Sequence, residues 1–356
     1  MRAEVIITEI VRLSAKIAKP IKLMEVCGTH TVSIFRHGIK GMLPKNIRLI
    51  SGPGCPVCVT PLRDIDAAIR LSLMDKTVLM TFGDMMHVPG RGRDSLYRAR
   101  GRGASVDTVY SPLDALEFAV SNRDRDIVFF STGFETTSPL IAATLIEEQV
   151  RGIGNFYIYS AHKLVPPALR ALLSLPATRL DGFILPGHVS TIIGMRPYEF
   201  ISNDYGKPGV ITGFDGNEIL MGIYMLLLQI SEGRAEIEIE YKKAVRPEGN
   251  PKAMSIIEQV FSTVDIEWRG LGVIPMSGLG LREEFSHYDA QRMLPEVQED
   301  YSETTTCQCA DVLRGIKTPP ECALFKKACT PDNPVGACMV SSEGSCSAYY
   351  KYGDTE

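Results

Sequence analysis

Residues 21–58 read IKLMEVCGTHTVSIFRHGIKGMLPKNIRLISGPGCPVC, and their rhythm decides the fold. IKLMEV and IRLIS are short apolar runs bounded by turn residues, with a helical stretch between them. Working outward, TVLMTF and VDTVY repeat the pattern, and DIVFF, NFYIYS, GFILP and GVITG repeat it again. The runs end near residues 26, 50, 82 and 110, then near 130, 160, 186 and 212, each about one strand–helix unit apart. This spacing predicts an α/β fold with parallel strands in two similar four-stranded halves. The first α/β domain is expected over 21–121 and the second over 122–232.

Upstream, Val5, Ile6, Ile10, Leu13 and Ile17 recur at helical spacing, which predicts an amphipathic helix ended by Pro20. Downstream, a helix from about Gly216 to Ser231 precedes EIEIEY, a strand expected to lie outside the repeated pattern. From Thr306 to Tyr352 the character changes: six of the nine cysteines fall there among many Pro and Gly. That composition suits a small cluster-stapled region more than a conventional core.

At 356 residues the chain can form two or three cores. Its 38 basic and 42 acidic side chains leave a net charge of -4, so no broad basic field exists to hold nucleic acid. Glu4 and Glu9 interrupt the N-terminal apolar residues, which argues against a signal peptide or a membrane span and predicts a cytoplasmic protein. Nine cysteines in a reducing compartment point to metal binding or redox chemistry rather than structural disulfides.

In open parallel sheets ligands bind beyond the carboxyl ends of the strands. The polar motifs fall there: CGTH (Cys27 to His30), GPGCPVC (Cys55, Cys58), GDMMH (Asp84, His87), TGFETT and PGHVS. Cys27 with Cys55 and Cys58 makes an open cup of three soft thiolates suited to iron, zinc or cuprous copper. The C-x-x-C spacing either closes a disulfide or grips a metal. His30 is a ligand, a proton donor or a loop-bonding residue, and Glu135 and His188 sit on strand-end loops of the second half. TGFETT lacks the glycines and lysine of a nucleotide loop, so an N-cap by Thr136 or Thr137 is expected. GRGRDS and RARGR form a locally basic stretch, either a solvated loop or a docking surface. The C-terminal cysteines, 307, 309, 322, 329, 338 and 346, lack paired zinc knuckles. Four ligands for a 4Fe-4S cluster plus two spare thiols fit their number, and spacing leaves open which four.

MEVCGTHT (24–31), SGPGCPVC (51–58), STGFETTSP (131–139), LPGHVS (185–190) and the run from Cys309 to Gly353 together resemble the HypD family of hydrogenase maturation proteins. The resemblance spans nearly the whole chain. It implies a third domain, 1–20 with 233–356, that gathers both termini around a 4Fe-4S cluster. It further implies a complex with a HypC-type small chaperone that delivers iron and a HypE-type donor of cyanide, the iron acquiring cyanide and carbonyl ligands transiently on this scaffold. Cys27 would then be the ligand to that iron, with Cys55 and Cys58 beside it as a thiol–disulfide couple. The last cysteines are also similar to those of ferredoxin-thioredoxin reductase, which implies Cys307, Cys322, Cys329 and Cys346 as cluster ligands and Cys309 with Cys338 as a redox pair. A freestanding disulfide reductase and a zinc-stapled binding module are the competing readings.

Overall fold

TVLMT (77–81) and GFILP (182–186) are buried along their whole length, as strands covered by helices on both faces must be. The computed structural model describes residues 2–175, 179–295 and 306–353. In chain order its strands are β1 (Ile21–Glu25), β2 (Ile47–Ser51), β3 (Thr77–Thr81), β4 (Val106–Thr108), β5 (Asp126–Ser131), β6 (Phe156–Ser160), β7 (Gly182–Pro186), β8 (Gly209–Thr212), β9 (Ile237–Ile239), β10 (Phe261–Trp268) and β11 (Gly272–Leu281). They form a five-stranded sheet, order β2-β1-β7-β8-β9, and a four-stranded sheet, order β4-β3-β5-β6, both wholly parallel. An antiparallel hairpin, β10–β11, stands apart.

The predicted parallel α/β class holds, and the predicted grouping into consecutive four-stranded halves does not. The chain leaves the first sheet after β2, builds the whole four-stranded sheet, and returns to pair β7 with β1. The expected boundary between residues 121 and 122 falls inside the four-stranded sheet, between β4 and β5. Strand rhythm reports how many units follow one another but carries no information about which strands pair. EIEIEY supplies β9, which joins β8 as the edge of the larger sheet instead of standing outside it.

The N-terminal helix runs from Ala3 to Ser14 and stops five residues short of Pro20. Its Ile6, Ile10 and Leu13 pack with Ile219, Ile223 and Leu226 of the helix Gly216–Glu232. That helix starts in an Asp215–Glu218 capping box and ends at Gly233 with φ of 69°. The N-terminal helix therefore packs on the five-stranded sheet's flank, and its gathering with the C-terminal cysteines into a third unit is not confirmed. Instead, the helix Pro251–Val260 and the hairpin pack on the helices and strands of the four-stranded sheet. No helix among the described residues is long and apolar enough to cross a membrane.

Candidate functional site

Strand order in the larger sheet reverses between β1 and β7, the place where open parallel sheets gather their ligand-binding loops. CGTH, GPGCPVC and PGHVS all emerge at this point because β1, β2 and β7 are neighbours. The first two loops are stitched together: Gly52 N–H donates to Glu25 O (2.8 Å) and Gly28 N–H to Gly54 O (2.9 Å). Gly54 lies so close to the Cys27 backbone that no Cβ fits between them. One trans peptide onward, Cys55 Cα is within about 8 Å of Cys27 Cα.

Cys55 caps the short helix Pro56–Val59, its sulfur accepting from Cys58 N–H at 3.2 Å. Cys55 and Cys58 are joined as a disulfide, their Cα atoms 5.3 Å apart. Both are buried, which restricts the access of an outside thiol to the bond. Burial pushes the Cys27 thiol up to about 12, and nearby Glu343 adds to the shift while the His30 and Thr29 N–H groups oppose it. Below it lies Glu25, 2% exposed and raised to about 7 by desolvation. Its carboxylate accepts from Cys27 N–H (3.3 Å) and Thr31 Oγ1 (2.5 Å).

His30 is fully buried, with Nε2 at 3.0 Å from Gly213 O and 3.0 Å from Thr212 Oγ1. The carbonyl can only accept, so the ring donates from Nε2. Burial pulls its pKa down to about 4, which keeps the ring neutral. His30 stacks on Phe214 (4.8 Å), which also stacks with His188 (3.9 Å). The imidazole thus ties the Cys27 loop to the loop after β8.

The C-terminal segment closes over these loops. Thr29 Oγ1 donates to Glu343 Oε1 (2.6 Å), and Gly28 leaves no space for a side chain beneath Glu343. Asp84, from the GDMMH loop, accepts from Ser341 Oγ (3.2 Å) and Ser342 N–H (3.4 Å). The helix Ala337–Val340, carrying Cys338, packs on the helix Pro56–Val59, and the helix Ser345–Tyr352 packs on Gly28–Arg36. In the latter contact Phe35 meets Tyr349 edge-on at 4.6 Å, with the Lys40 ammonium about 4 Å from both rings.

Cys55, Cys58, Cys309 and Cys338 belong to one buried apolar core, with Cys307 and Cys346 against it. The Cys307 thiol hydrogen-bonds Cys309, which with burial drives its pKa up. Burial also raises Cys329, Cys338 and Cys346, and all three feel the like charge of other cysteines in the group. Cys329, Cys338 and Cys346 all feel Cys307, and Cys329 and Cys346 also feel Cys322, so these thiols form one electrostatic group. Val335 N–H donates to Cys329 Sγ (3.4 Å), and Cys307 Sγ packs so closely on Gly336 that no Cβ fits there. Among the described residues no three His, Cys, Asp or Glu side chains converge as ligands to a single ion would. A cubane would spread its four thiolates further than one ion does, and its cationic core would deprotonate thiols that otherwise resist ionisation.

The TGFETT loop comes from the four-stranded sheet, and its Gly133, Phe134, Thr136 and Thr137 line a cavity together with Pro56 and Val57. Glu135 is 3% exposed, accepts from Val165 N–H (2.9 Å) through Oε1, and is raised to about 7 by desolvation. Thr137 occupies the predicted N-cap of Ser138–Arg151 but makes no capping bond; its hydroxyl donates to Phe134 O (3.1 Å) and lies 3.3 Å from His162 Nε2. Sequence reading missed Glu25, Glu343 and Arg269. Arg269, buried in the hairpin turn, donates to Pro89 O (3.1 Å) and favours the thiolates of Cys307 and Cys338. A charged residue closing the apolar run IKLMEV was the available signal for Glu25; Arg269 carried none.

A family model described as HypD, hydrogenase formation hypA family, matches residues 2–353. The chain is 47% identical to the hydrogenase expression/formation protein HupD of Azotobacter chroococcum, over 94% of this chain and 90% of that protein. It is 46% identical to the hydrogenase maturation factor HypD of Azotobacter vinelandii, over 96% and 93%. With a putative hydrogenase expression/formation protein of Methanocaldococcus jannaschii it shares 44% identity over 97% and 96%. With strand-end cysteines, a C-terminal cysteine cover and this likeness along the whole chain, the protein belongs to the HypD family of hydrogenase maturation factors.

Proposed function

We propose that this chain is the scaffold on which an iron atom acquires cyanide and carbonyl ligands before transfer to a nickel-iron hydrogenase. The observation that carries the reading is the meeting, at one switch point, of Cys27, the Cys55–Cys58 disulfide and the C-terminal cysteine segment. Cys27 is the thiolate offered to the iron, which is cargo, and a HypC-type chaperone and a HypE-type cyanide donor are the partners. Iron must displace the Cys27 proton, since burial holds the thiol protonated at neutral pH.

Cys307, Cys322, Cys329 and Cys346 would hold a 4Fe-4S cluster, which supplies reducing equivalents one at a time. The Cys309 and Cys338 thiols share a core with Cys55 and Cys58, which supports thiol–disulfide exchange between the two pairs. In that exchange the Cys309 and Cys338 thiols become a disulfide, and the Cys55–Cys58 bond becomes two thiols, with two electrons and two protons transferred. Burial of Cys55 and Cys58 favours this internal route over a freestanding reductase acting on an outside disulfide.

The test is infrared and Mössbauer spectroscopy on protein co-expressed anaerobically with its HypC-type partner. Cyanide and carbonyl bands are expected in the wild-type complex and absent from Cys27→Ala, while the variant keeps its fold and its iron–sulfur absorption. Unchanged bands in the variant would remove Cys27 from the ligand set.

A further inference from the structure

The basic stretch noted in the sequence is not a loose loop. Pro89 O accepts from Arg269 Nη2 (3.1 Å), Gly90 N–H donates to Asp94 O (2.7 Å), and Arg91 N–H donates to Asp66 Oδ1 (2.9 Å). Ser95 then caps the helix Leu96–Gly101, accepting from Arg98 N–H at 3.2 Å, and Leu96 and Ala99 anchor that helix in the core. From this fixed backbone Arg91, Arg93, Arg98, Arg100 and Arg102 all reach solvent. Arg93 is held at φ of 63°, in the left-handed region that a glycine would occupy without strain, and the neighbouring Gly92 shows the same φ.

Three of the five arginines face carboxylates: Arg102 meets Asp94 (2.5 Å), Arg100 meets Asp107 (3.5 Å) and Arg91 meets Asp66 (3.9 Å). Arg93 and Arg98 have no carboxylate at ion-pair distance among the described residues, and Arg98 Nη1 donates instead to Arg93 O at 2.8 Å. Beside them Tyr97 is 59% exposed yet packed against the His87 ring, centroids 4.6 Å apart. Paired arginines around two free ones, with a fixed aromatic, have the composition of an interface hot spot. The first of these arginines, Arg91, follows seven residues after Asp84, which holds the loop that covers Cys27.

We propose that this arginine face is the docking surface for the acidic face of a partner protein that works at Cys27. The proposal rests on the maturation reading above. A protein is favoured over nucleic acid because interspersed aspartates break the run of positive charge that a phosphate backbone requires, and alternating signs instead select a complementary pattern.

The test uses the full-length chain with Arg93→Gly, Arg98→Ala and both together. The cognate HypC-type and HypE-type proteins are titrated separately by biolayer interferometry at 50 and 300 mM NaCl. For one of them, wild-type affinity should fall with salt, the double variant should bind ten-fold or more weakly at low salt, and Arg98→Ala alone should bind about three-fold more weakly, chiefly through slower association. Arg93→Gly should keep or raise the melting temperature, because glycine accepts the backbone angle that arginine resists. Wild-type affinity of the double variant for both partners would overturn the proposal. So would a single-stranded RNA 20-mer that loses binding to the double variant while both proteins bind it unchanged. The readout is independent of cyanide and carbonyl bands, so failure here and failure of the maturation reading are told apart.

Discussion

Glu135 illustrates how burial turns a loop carboxyl into a pH-dependent element of stability. One oxygen is satisfied by Val165 N–H and the other has no partner among the described residues. Its pKa rises from 4.5 to about 7, so the folded chain holds this proton more tightly than the unfolded chain does. The resulting stability is complete below pH 4.5 and is lost as pH rises through 7. Glu135→Gln removes the ionisation, and its stability advantage over wild type should be about 2–3 kcal/mol larger at pH 8 than at pH 5, measured by urea unfolding at each pH. An advantage that does not change with pH would place the carboxyl's charge elsewhere. Single residues were legible in the sequence where chemistry and position coincided. Cys27, Cys55 and Cys58 are reactive types at strand ends, whereas Arg269 is an ordinary turn residue until the hairpin carries it to Cys307 and Cys338.

Loops and helices depend on the same close approaches. Gly28 opens the helix Gly28–Arg36 and lies directly under Glu343, so the fit of the cover depends on the missing side chain. Gly28→Ala should lift the 341–345 loop without disturbing the sheet. Alkylation of Cys27 by iodoacetamide is expected to speed up ten-fold or more at unchanged circular dichroism; an unaltered rate would show that the loop does not guard the thiol. Parallel strands were legible because burial on both faces makes them continuous apolar runs. The hairpin escaped notice for a physical reason. GVIPMSGLGL does not alternate, because Gly278 and Gly280 sit where Ile266 and Val264 of the opposite strand fill the space. Pro275 is tolerated there because a two-stranded ribbon has free edges.

Across the molecule the six C-terminal cysteines should divide into two classes. Alanine at Cys322, Cys329 or Cys346 is expected to bleach the anaerobically purified protein, since a cubane that loses a thiolate exposes an iron. Alanine at Cys309 or Cys338 should keep colour and iron content but stop hydrogenase maturation in cells. Cluster loss in both of these variants with retention in Cys307→Ala would overturn this division and place the four ligands elsewhere among the six. The long-range plan was the least legible part, because pairing β1 with β7 depends on residues far apart in sequence, Leu23 against Gly182. That pairing also sets a timetable during synthesis. At about 5–20 residues per second, β1 emerges from the ribosome roughly 10–30 s before β7. Through that interval one edge of β1 is open, whereas the four-stranded sheet has all its strands as soon as β6 emerges, before β7. A nascent chain halted after β6 should therefore protect amides of β3 and β5 from hydrogen exchange more strongly than those of β1, and the loop cluster at Cys27 is among the last parts of the molecule to exist.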